Sequence, residues 1–559
     1  MTMTWDEAVA ALTGPDGEFE LTTQEVLGTP TRVFTRTPNS LRDLFGIARL
    51  HGDKPYLVYE DEYWNYAELV GHIDGIANAL VETYGVVPGD RVAIAMRNYP
   101  EWIAAFAAIT SVGAVAVALN AWWVADELRY GLTDSGSTVV LADAERMERM
   151  APMASELGLS IIAVRAEGEL PAGCRHYAEV VDTAAPMPEV AIGTDDDASI
   201  LYTSGTTGFP KGAVSTHRAV LSALLGFACR STIGTLTAPE PVEPPADPCL
   251  ILCVPLFHVT GLVPVMMGTF VTGSRLVMMH RWSPERALEL VERERITQFV
   301  GVPTMSWELL ESPDFDKRDT SSLVSVGGGG APAPPELVRR IEDNFSAARP
   351  GIGYGMTETN ALGPQNAGDD YLARPTSAGR AAPNMDVRVV DPDGNELGPN
   401  QRGEICFRGA NLIRGYWNKP EATAETIQDG WLRSGDIGWL DDDGFIYVAD
   451  RLKDMVLRGG ENIYCAEVEA AIYEHPAIYE VAVFGVPDER LGEEVAAAIM
   501  IKPGSAFDED EFRSFLAERL APFKVPTQLT IVDQQLPRNA SGKILKREIR
   551  DELLGAGEA

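Results

Sequence analysis

Short apolar runs alternate with amphipathic segments from about residue 40 to residue 350. The runs at 91–96, 138–142 and 161–164 are rich in Val, Ile and Ala. Buried parallel strands have this character, and the amphipathic segments between them complete βαβ units. This part of the chain therefore predicts an α/β fold, in which helices sandwich parallel-rich sheets.

The pattern changes between residues 380 and 450. Three short strand-like runs are accompanied there by Asp-Gly pairs, which favour tight turns because both residues tolerate a left-handed backbone. The runs are Val387–Val390, Gly403–Phe407 and Phe445–Val448, and the pairs are Asp393-Gly394, Asp429-Gly430 and Asp443-Gly444. We predict a small β-rich subdomain over this region.

Helices and strands mix again after residue 450. The pattern predicts a helix over 467–473, a strand over 481–486 and a helix over 509–520. A separate α+β domain of about 105 residues is large enough to fold on its own. We therefore divide the chain into an N-terminal domain over 1–450 and a C-terminal domain over 451–559.

Two largely uncharged stretches, 102–119 and 250–274, are long enough to be considered as membrane spans. The first is typical of an Ala-rich helix that stops at Gly113 and continues as a strand. The second is interrupted by Pro255 and Pro264, which favours short elements over one continuous helix. We assign both stretches to buried elements of the α/β domain and expect no integral membrane segment.

Charge narrows the range of partners for this chain of 559 residues. It has 46 Lys and Arg against 82 Asp and Glu, which gives a formal net charge of -36. This balance argues against nucleic acid and anionic membrane surfaces as partners. A phosphate ligand would have to meet a local group of backbone N–H groups, cations or a metal ion.

Six cysteines in a chain of this length are not a disulfide framework. Cys249 and Cys253 have no second cysteine pair or paired histidines nearby, so buried free thiols are favoured over a zinc site. The N-terminal residues also lack the basic and apolar pattern of a secretory signal. We expect a reducing, cytoplasmic location.

The strongest local motif is Tyr202-Thr-Ser-Gly-Thr-Thr-Gly-Phe-Pro-Lys-Gly212, which follows the apolar residues Ile200 and Leu201. Small residues on a loop that leaves a strand allow successive N–H groups to surround phosphate oxygens, and Lys211 adds a positive charge. The spacing is not that of Walker A, and the chain lacks G-x-S-x-G, H-E-x-x-H and G-x-G-x-x-G motifs. A triphosphate is the expected ligand.

Five motifs, in order along the chain, resemble those of the adenylate-forming superfamily. They are the loop at 202–212, Gly353-Tyr-Gly-Met-Thr-Glu358, Ser434-Gly-Asp-Ile-Gly438, Asp450-Arg-Leu-Lys-Asp454 with Gly459-Gly-Glu-Asn-Ile463, and Pro537-Arg-Asn-Ala-Ser-Gly-Lys543. Asn539-Ala540 departs from the commoner Lys-Thr form of the last motif. The Gly459–Ile463 string resembles the acyl-CoA synthetase, or fatty-acid CoA ligase, branch more than peptide-synthetase domains.

The resemblance implies a two-step reaction. A carboxylate and MgATP give acyl-AMP and pyrophosphate, and a thiol then displaces AMP, so ATP, Mg2+ and coenzyme A are the expected cofactors. The α-phosphate becomes crowded and highly anionic in the first step, so the site must supply cations and oriented donors. By resemblance, Glu358 and Thr203 are the expected Mg2+ ligands.

The resemblance also implies the nucleotide site. Asp436 matches an aspartate that accepts hydrogen bonds from both ribose hydroxyls. Arg451 matches an arginine that reaches the ribose and the phosphate. Residues 328–332 and Tyr354 resemble the adenine-binding segment, where glycine permits close backbone approach. The expected cofactor-binding residues are Thr203, Ser204, Gly205, Thr206, Thr207, Gly208, Lys211, Gly328, Gly329, Gly330, Ala331, Pro332, Tyr354, Gly355, Met356, Thr357, Asp436, Arg451, Gly459, Gly460 and Glu461.

Lys543 matches the lysine that bridges the substrate carboxylate and the α-phosphate, and it joins Glu358 and Thr203 as an expected catalytic residue. Residues 521–550 contain six Lys or Arg and two acids, a local surplus of +4 that supplies the basic region sought above. By resemblance, Lys453 is the hinge about which a mobile C-terminal domain swings. Lys543 then leaves the site, and the loop at 459–460 enters to line a thiol tunnel.

His258, with Phe257 and Gly353, resembles the family's acyl pocket, where the histidine positions or gates the substrate. A core histidine is the alternative.

The favoured substrate is a medium- to long-chain aliphatic monocarboxylic acid. An aryl or alicyclic acid, such as a benzoate or a sterol fragment, is an open alternative. The acyl group could also pass to a carrier protein in place of free coenzyme A. A homodimer is possible as well. A regulator that has lost catalysis is disfavoured, because every candidate catalytic residue is present at its motif position.

Overall fold

The structure, a computed structural model, describes residues 3–203, 209–240, 244–459, 461–540 and 542–556. Its strands, in chain order, are β1 Leu21–Val26, β2 Thr29–Phe34, β3 Pro55–Tyr59, β4 Glu62–Asn65, β5 Arg91–Ala95, β6 Val115–Ala118, β7 Val139–Asp143, β8 Ser160–Val164, β9 Cys174–His176, β10 Asp197–Thr203, β11 Lys211–Thr216, β12 Cys249–Leu252, β13 Arg275–Met278, β14 Gln298–Gly301, β15 Ser325–Gly329, β16 Arg349–Gly353, β17 Gln365–Ala367, β18 Met385–Val390, β19 Gly403–Gly409, β20 Gly415–Tyr416, β21 Ile427–Gln428, β22 Trp431–Leu440, β23 Ile446–Arg451, β24 Val456–Arg458, β25 Glu461–Ile463, β26 Ile478–Asp488, β27 Gly492–Ile501 and β28 Gln528–Val532.

The α-helices are α1 Trp5–Thr13, α2 Leu41–Gly46, α3 Tyr66–Asn78, α4 Pro100–Ser111, α5 Ala125–Ser135, α6 Ala144–Leu157, α7 Tyr177–Val180, α8 His217–Thr237, α9 Gly268–Thr272, α10 Pro284–Glu294, α11 Pro303–Glu311, α12 Pro335–Asn344, α13 Gly368–Ala373, α14 Pro420–Thr426, α15 Cys465–Tyr473, α16 Glu509–Ala517 and α17 Lys546–Ala556. The segments Ala79–Thr83 and Gly261–Met267 are π-helical.

Two eight-stranded sheets account for most of the N-terminal part. The first has the order β20-β11-β10-β6-β5-β7-β8-β9, and the second has the order β17-β16-β15-β14-β12-β13-β3-β4. Neighbouring strands are parallel through the centre of both sheets, and antiparallel pairs occur only towards the edges. The predicted α/β fold with parallel-rich sheets is confirmed.

Helix α4 and strand β6 account for the first uncharged stretch. Every residue of α4 is buried, and it shares one apolar core with strands of both sheets, such as Val92 of β5 and Ile251 of β12. The stretch at 250–274 is divided among β12, the π-helical segment and α9. Both stretches are buried elements of the fold, as predicted.

One helix in the described part of the chain is long and apolar enough to cross a membrane by length and composition. It is α8, and half of its most apolar window is buried inside the protein. A core helix of a globular protein passes the same test. This helix lies outside the two stretches that the sequence singled out.

A third sheet, with the order β18-β19-β22-β21 and with β23 paired to β22, follows the first two. Its strands include the three predicted runs between 387 and 448. Asp429 and Gly430 form the predicted tight turn between β21 and β22, and both have positive φ, 51° and 76°. This two-residue geometry is typical of a hairpin turn that follows the strand twist.

The last sheet has the order β25-β24-β27-β26, with β28 parallel to β27. Helices α15 and α16 pack on one of its faces through a cluster that includes Phe512 and Leu516. The predicted helix over 509–520 ends earlier, at Ala517. The chain tightens there, because Arg519 N–H bonds the Leu516 carbonyl three residues back. All six cysteines are free, and five of them are buried.

Candidate active site

The loop expected to bind phosphate joins two paired strands. β10 ends at Thr203 and β11 begins at Lys211, and these residues face each other in antiparallel register. The Thr203 hydroxyl donates a hydrogen bond to the Lys211 carbonyl at 3.3 Å. The chain therefore returns into the same sheet as its next strand, unlike the strand-to-helix turn of a Walker A site. Ser204, Gly205, Thr206, Thr207 and Gly208 lie outside the described residues.

Glu358 lies close to this hairpin and is buried. Its Oε1 accepts a hydrogen bond from the Tyr416 hydroxyl at 2.7 Å. Burial raises the pKa of Glu358 above its usual value, while Tyr416 and the positive charges of Arg451 and Lys211 oppose this. The Lys211 ammonium lies 5.1 Å from the centre of the Tyr416 ring, within cation–π range. Tyr416 thus connects the loop lysine to the expected metal ligand.

The residues expected to hold Mg2+ have suitable chemistry. Mg2+ prefers oxygen ligands and is usually held by one or two carboxylates together with waters and substrate phosphates. Glu358 has a second carboxylate oxygen besides the one bonded to Tyr416, and Thr203 offers a hydroxyl. Within the described ranges, no group of three or more His, Cys, Asp or Glu could hold a metal ion. A metal at Glu358 would therefore be shared with a bound polyphosphate.

The carboxyl ends of β15 and β16 form a glycine-rich edge. Gly329 and Gly353 face each other in parallel register, and a Cβ on Gly329 would lie 3.0 Å from the Gly353 carbonyl oxygen. Gly330 has a φ of +78°, a conformation that glycine adopts without strain. Gly328 precedes it in β15, and residues 331–332 continue the turn. This edge of exposed backbone suits the close approach of a flat ring.

The loop after β16 has an uncommon backbone conformation. Asn360 and Ala361 both have positive φ, 53° and 63°, which is costly for residues with a Cβ. Asn360 Oδ1 accepts a hydrogen bond from Ser215 Oγ at 2.9 Å, and its Nδ2 donates to the Asn411 carbonyl at 3.0 Å. These buried contacts hold the loop that leads to the expected metal ligand. The site residues on this loop are Tyr354, Gly355, Met356 and Thr357.

Asp436, in β22, is the centre of a polar cluster. The Tyr354 hydroxyl donates to its Oδ2 at 2.5 Å, and Arg451 Nε lies 3.5 Å from its Oδ1. Arg451 faces Asp436 in the register of β22 and β23. Burial raises the pKa of Asp436, and the neighbouring Arg451 and Tyr354 oppose the rise. A carboxylate fixed in this way can accept hydrogen bonds from two adjacent hydroxyl groups.

Lys543 approaches the same cluster from the C-terminal part of the chain. Burial, and then repulsion by Arg451, lower the pKa of Lys543 to about 8, although Asp436 attracts its positive charge. The preceding Gly542 has a φ of +84°, and a Cβ there would lie 3.0 Å from the side chain of Val302. The turn that carries Lys543 is therefore packed against the segment that follows β14. The structure brings Lys543, Asp436 and Arg451 together.

The basic stretch at 521–550 has a local surplus of +4 in composition, but it does not form a continuous cationic surface. The fold places acidic partners beside most of its cations, and several of these acids come from α15 and β26. The pairs are Lys524 with Glu467 at 2.5 Å, Arg538 with Glu480 at 2.6 Å, Lys546 with Glu469 at 2.7 Å, and Arg547 and Arg550 with Asp551 at 3.6 and 3.4 Å. Lys543 is the member of the stretch that faces the Asp436 cluster.

The loop after β12 carries Phe257 and His258, whose rings lie 4.8 Å apart. The His258 Nε2 atom is buried and has no hydrogen-bond partner among the residues that the structure describes. Burial lowers the pKa of His258 to about 4, so the ring is neutral near pH 7. Phe257 belongs to the same apolar core as Val302. The surroundings suit a positioning role for this histidine.

Gly459 follows β24 and Glu461 begins β25, and these two strands pair antiparallel as a hairpin. The Gly459 N–H donates to the Leu491 carbonyl at 2.7 Å, within the same part of the chain. Lys453 is exposed and lies just after β23. Gly460 lies outside the described residues. Among the described residues, Lys543 lies beside Asp436 and Arg451, whereas the Gly459 N–H has its contact at Leu491.

Sequence reasoning missed Tyr416 and the amide pair of Asn360 and Asn411. Tyr416 is distant in sequence from Glu358, and it arrives through the pairing of β20 with β11, in which it faces Ala213. No local spacing links these residues. The one available signal was that apolar residues follow both amides, at 361–362 and 412–413, and buried amides typically find hydrogen-bond partners.

Two family models match the chain in the order that the motifs suggest. The model of the AMP-binding enzyme matches residues 45–417, and the model of the AMP-binding enzyme C-terminal domain matches residues 467–543. The first alone covers well over half of the chain. The matched ranges contain the candidate residues from Thr203 to Lys543, except those between the two models.

Similar proteins support the same relationship. The feruloyl-CoA synthase of an Amycolatopsis species is 38% identical over 486 residues, 87% of this chain and 93% of that protein. The long-chain-fatty-acid–CoA ligase FadD13 of Mycobacterium tuberculosis is 36% identical over 500 residues, 88% of this chain and 93% of that protein. The solved structure of o-succinylbenzoate coenzyme A synthetase from Bacillus subtilis with ATP and a magnesium ion has a TM-score of 0.76 and 30% identity, and the match covers 91% of this chain and 99% of that one.

Proposed function

This chain belongs to the AMP-binding enzyme family, within the adenylate-forming superfamily, and on that premise we propose that its substrate is a monocarboxylic acid with an apolar body, foremost a medium- to long-chain fatty acid. The enzyme is an acid–CoA ligase that uses ATP, Mg2+ and coenzyme A. The acid and ATP form acyl-AMP and pyrophosphate, and the thiol of coenzyme A then takes the acyl group and releases AMP.

The apolar surroundings of the loop with Phe257 and His258 carry this proposal. Phe257, Val259, Val302 and Met305 belong to one buried apolar core, and His258 is neutral near pH 7 because burial lowers its pKa to about 4. A second charged group on the acid would lose its hydration there without an ionic partner. An alkyl chain instead gains about 0.8 kcal/mol for each buried CH2.

An aromatic acid is the second candidate, and a different observation supports it. Strand β16 ends at Gly353, which resembles part of the family's acid pocket, and a planar ring can approach glycine backbone closely. The similar protein from Amycolatopsis is named for feruloyl-CoA. A ferulate-like acid would place its ring against Gly353, while residues 328–332 bind the adenine.

The adenylation step follows from the Asp436 cluster. Asp436 accepts the ribose hydroxyls, with Tyr354 fixing one of its oxygens at 2.5 Å. Lys543, in its protonated form, lies between the acid carboxylate and the α-phosphate and offsets the charge that builds up as the carboxylate attacks. Glu358 and Thr203 would hold Mg2+, which would neutralise phosphate charge. The leaving group is pyrophosphate, and its negative charge lies near Lys211.

The thioester step needs a different arrangement of the C-terminal domain. Lys543 occupies the site in this structure, while the hairpin with Gly459 has its contact at Leu491. We place the hinge at the exposed Lys453, so that rotation withdraws Lys543 and brings the hairpin in. One site then serves two steps whose requirements conflict.

An acid panel tests the substrate proposal. The enzyme is incubated with ATP, Mg2+ and acids of 6 to 18 carbons, as well as ferulate and benzoate, with and without coenzyme A. Release of pyrophosphate with the longer fatty acids, and of acyl-CoA when coenzyme A is added, is expected. A preference for ferulate of more than about ten-fold in kcat/KM would favour the aromatic candidate. Pyrophosphate release without thioester formation from any acid would contradict transfer to coenzyme A.

The Lys543→Ala variant tests the role of that lysine, with Arg547→Ala as its control. Arg547 is close in sequence, but 70% of its side chain is exposed and it pairs with Asp551. Lys543→Ala should lose adenylation and keep thioester formation from supplied acyl-AMP, because the lysine is needed only in the first step. Arg547→Ala should keep both. Equal loss of both half-reactions in Lys543→Ala would refute the assignment.

A further inference from the structure

Asn98 is a buried amide at the junction of the two large sheets. It follows β5 of the first sheet, and only 7% of its surface is exposed. Its side chain bonds the main chain of connections in the second sheet. Oδ1 accepts from the Leu256 N–H at 2.9 Å, and Nδ2 donates to the carbonyls of Val254 at 3.0 Å and Met279 at 3.4 Å.

These partners lie directly after β12 and β13. Val254 and Leu256 flank Pro255, whose carbonyl accepts the N–H of His258 at 3.1 Å. Pro255 has no N–H of its own to donate. The turn that presents His258 is therefore anchored at its base by the Asn98 amide. A Cβ on Gly261 would lie 2.5 Å from the Pro255 carbonyl oxygen, so the other side of the turn is closely packed as well.

Asn98 is itself held firmly from both sides. The N–H of the preceding residue, Arg97, donates to Asp143 Oδ2 at 2.9 Å. The fully buried helix α4 begins at Pro100, two residues later. The amide is thus a fixed point on the first sheet, and its three bonds transmit that position to a loop of the second sheet.

We propose that Asn98 is a positioning residue for the acid-binding side of the active site. Its amide fixes segment 254–256 and thereby sets the places of Phe257 and His258, without touching the substrate itself. The inference rests on the proposed function, because it takes this loop to border the acid. The nucleotide is held by other segments. A change at Asn98 therefore alters recognition of the acid and leaves recognition of ATP unchanged.

Few other side chains fit this position. Alanine leaves the Leu256 N–H and the Val254 carbonyl without their partner in a buried place. Aspartate keeps an acceptor for Leu256 and places a carboxylate oxygen against the carbonyls of Val254 and Met279. Serine keeps one hydroxyl and is too short to reach all three groups. Each change loosens the loop to a different degree, which allows a graded test.

The experiment compares Asn98→Ala and Asn98→Ser with a matched control, Asn384→Ala. Asn384 is also a buried amide, 1% exposed, and its Nδ2 donates to the Ser222 carbonyl at 3.1 Å, on helix α8. Pyrophosphate release is measured against acid and against ATP, well below the melting temperature of each variant. Melting temperatures are recorded in parallel.

The Asn98 variants should raise the KM for the preferred acid by about ten-fold, keep the KM for ATP within about two-fold, and flatten the preference among acids of different length. Asn384→Ala should lower the melting temperature and leave both KM values unchanged. Equal changes in the two KM values, or a lower melting temperature with unchanged acid kinetics, would make Asn98 a purely structural residue and overturn the proposal.

Hydrogen exchange on the wild-type enzyme gives an independent result if a variant does not fold. A peptide over 253–258 should exchange about as slowly as the adjacent strand β12 before any acid is added. Fast exchange there would overturn the inference. If the wild type releases no pyrophosphate with any acid, the proposed function fails. If it does and the Asn98 variants keep the wild-type acid KM, only the role of Asn98 fails.

Discussion

The lowered pKa of Lys543 predicts that adenylation weakens above pH 8. Burial and the neighbouring Arg451 shift this pKa from 10.5 to about 8. The protonated lysine is the form that can offset charge on the acid and the α-phosphate. Below pH 8 the free enzyme therefore carries mostly the active form, and above pH 8 it carries mostly the neutral form.

The size of the effect follows from the pKa. At pH 7 about nine tenths of the free enzyme has a protonated Lys543, at pH 8 about half, and at pH 9 about one tenth. The kcat/KM for adenylation reports groups of the free enzyme, so it should fall about ten-fold per pH unit on the alkaline side. Bound ATP adds negative charge and raises the pKa, so the fall in kcat should begin at a higher pH.

Pyrophosphate release without coenzyme A is the assay, because the thiol of coenzyme A titrates in the same range. The control is Lys543→Arg, whose guanidinium stays charged throughout. This variant should be slower than the wild type at pH 7.5 and should show no fall in kcat/KM between pH 7.5 and 9.5. If its alkaline fall equals that of the wild type, or if the wild type shows none up to pH 9.5, the reasoning is refuted.

Three further changes have definite expected outcomes. Glu358→Gln should raise the Mg2+ concentration for half-maximal adenylation by at least about ten-fold, because it removes the charge of the expected metal ligand; an unchanged Mg2+ titration would contradict that role. Tyr354→Phe should raise the KM for ATP about three- to ten-fold with little change in the KM for the acid, because it removes the hydroxyl that fixes Asp436, the carboxylate expected to bind the ribose; pyrophosphate-release kinetics measure both KM values. Lys546→Met should lower the free energy of unfolding by about 3–5 kcal/mol, since it leaves the largely buried Glu469 carboxylate without its ionic partner, with the Val483 N–H as its remaining donor. Arg547→Met, the exposed control, should change it by less than about 1 kcal/mol in the same urea titration.

The local elements were predictable because their signals are local. The strands around 91–96 and 161–164 followed from short apolar runs, and the turn at Asp429-Gly430 followed from residues that tolerate positive φ. The end of α16 was misjudged, because Leu520 continues the apolar pattern and packs in the core after the regular helix has ended at Ala517. Hydropathy reports burial, and burial does not require a helical backbone.

The sequence by itself determined which kinds of chemical group are available for the candidate site. Small residues and Lys211 on one loop, the carboxylates Glu358 and Asp436, and Lys543 were readable as motifs, since each is a short string with its own chemistry. Net charge also argued against nucleic acid as a partner. These local motifs do not specify where one group lies relative to another in the folded protein.

Only the tertiary structure decided those relations, since they depend on strand pairing and on packing between distant segments. It placed the Tyr416 hydroxyl on Glu358 through the pairing of β20 with β11. It neutralised most of the basic stretch with acids of α15 and β26, so that the stretch is no cationic surface. It also seated Asn98 of one sheet on the loop of another. Electrostatic interactions and hydrogen bonds depend on distances in space, and the order of residues along the chain does not by itself fix those distances.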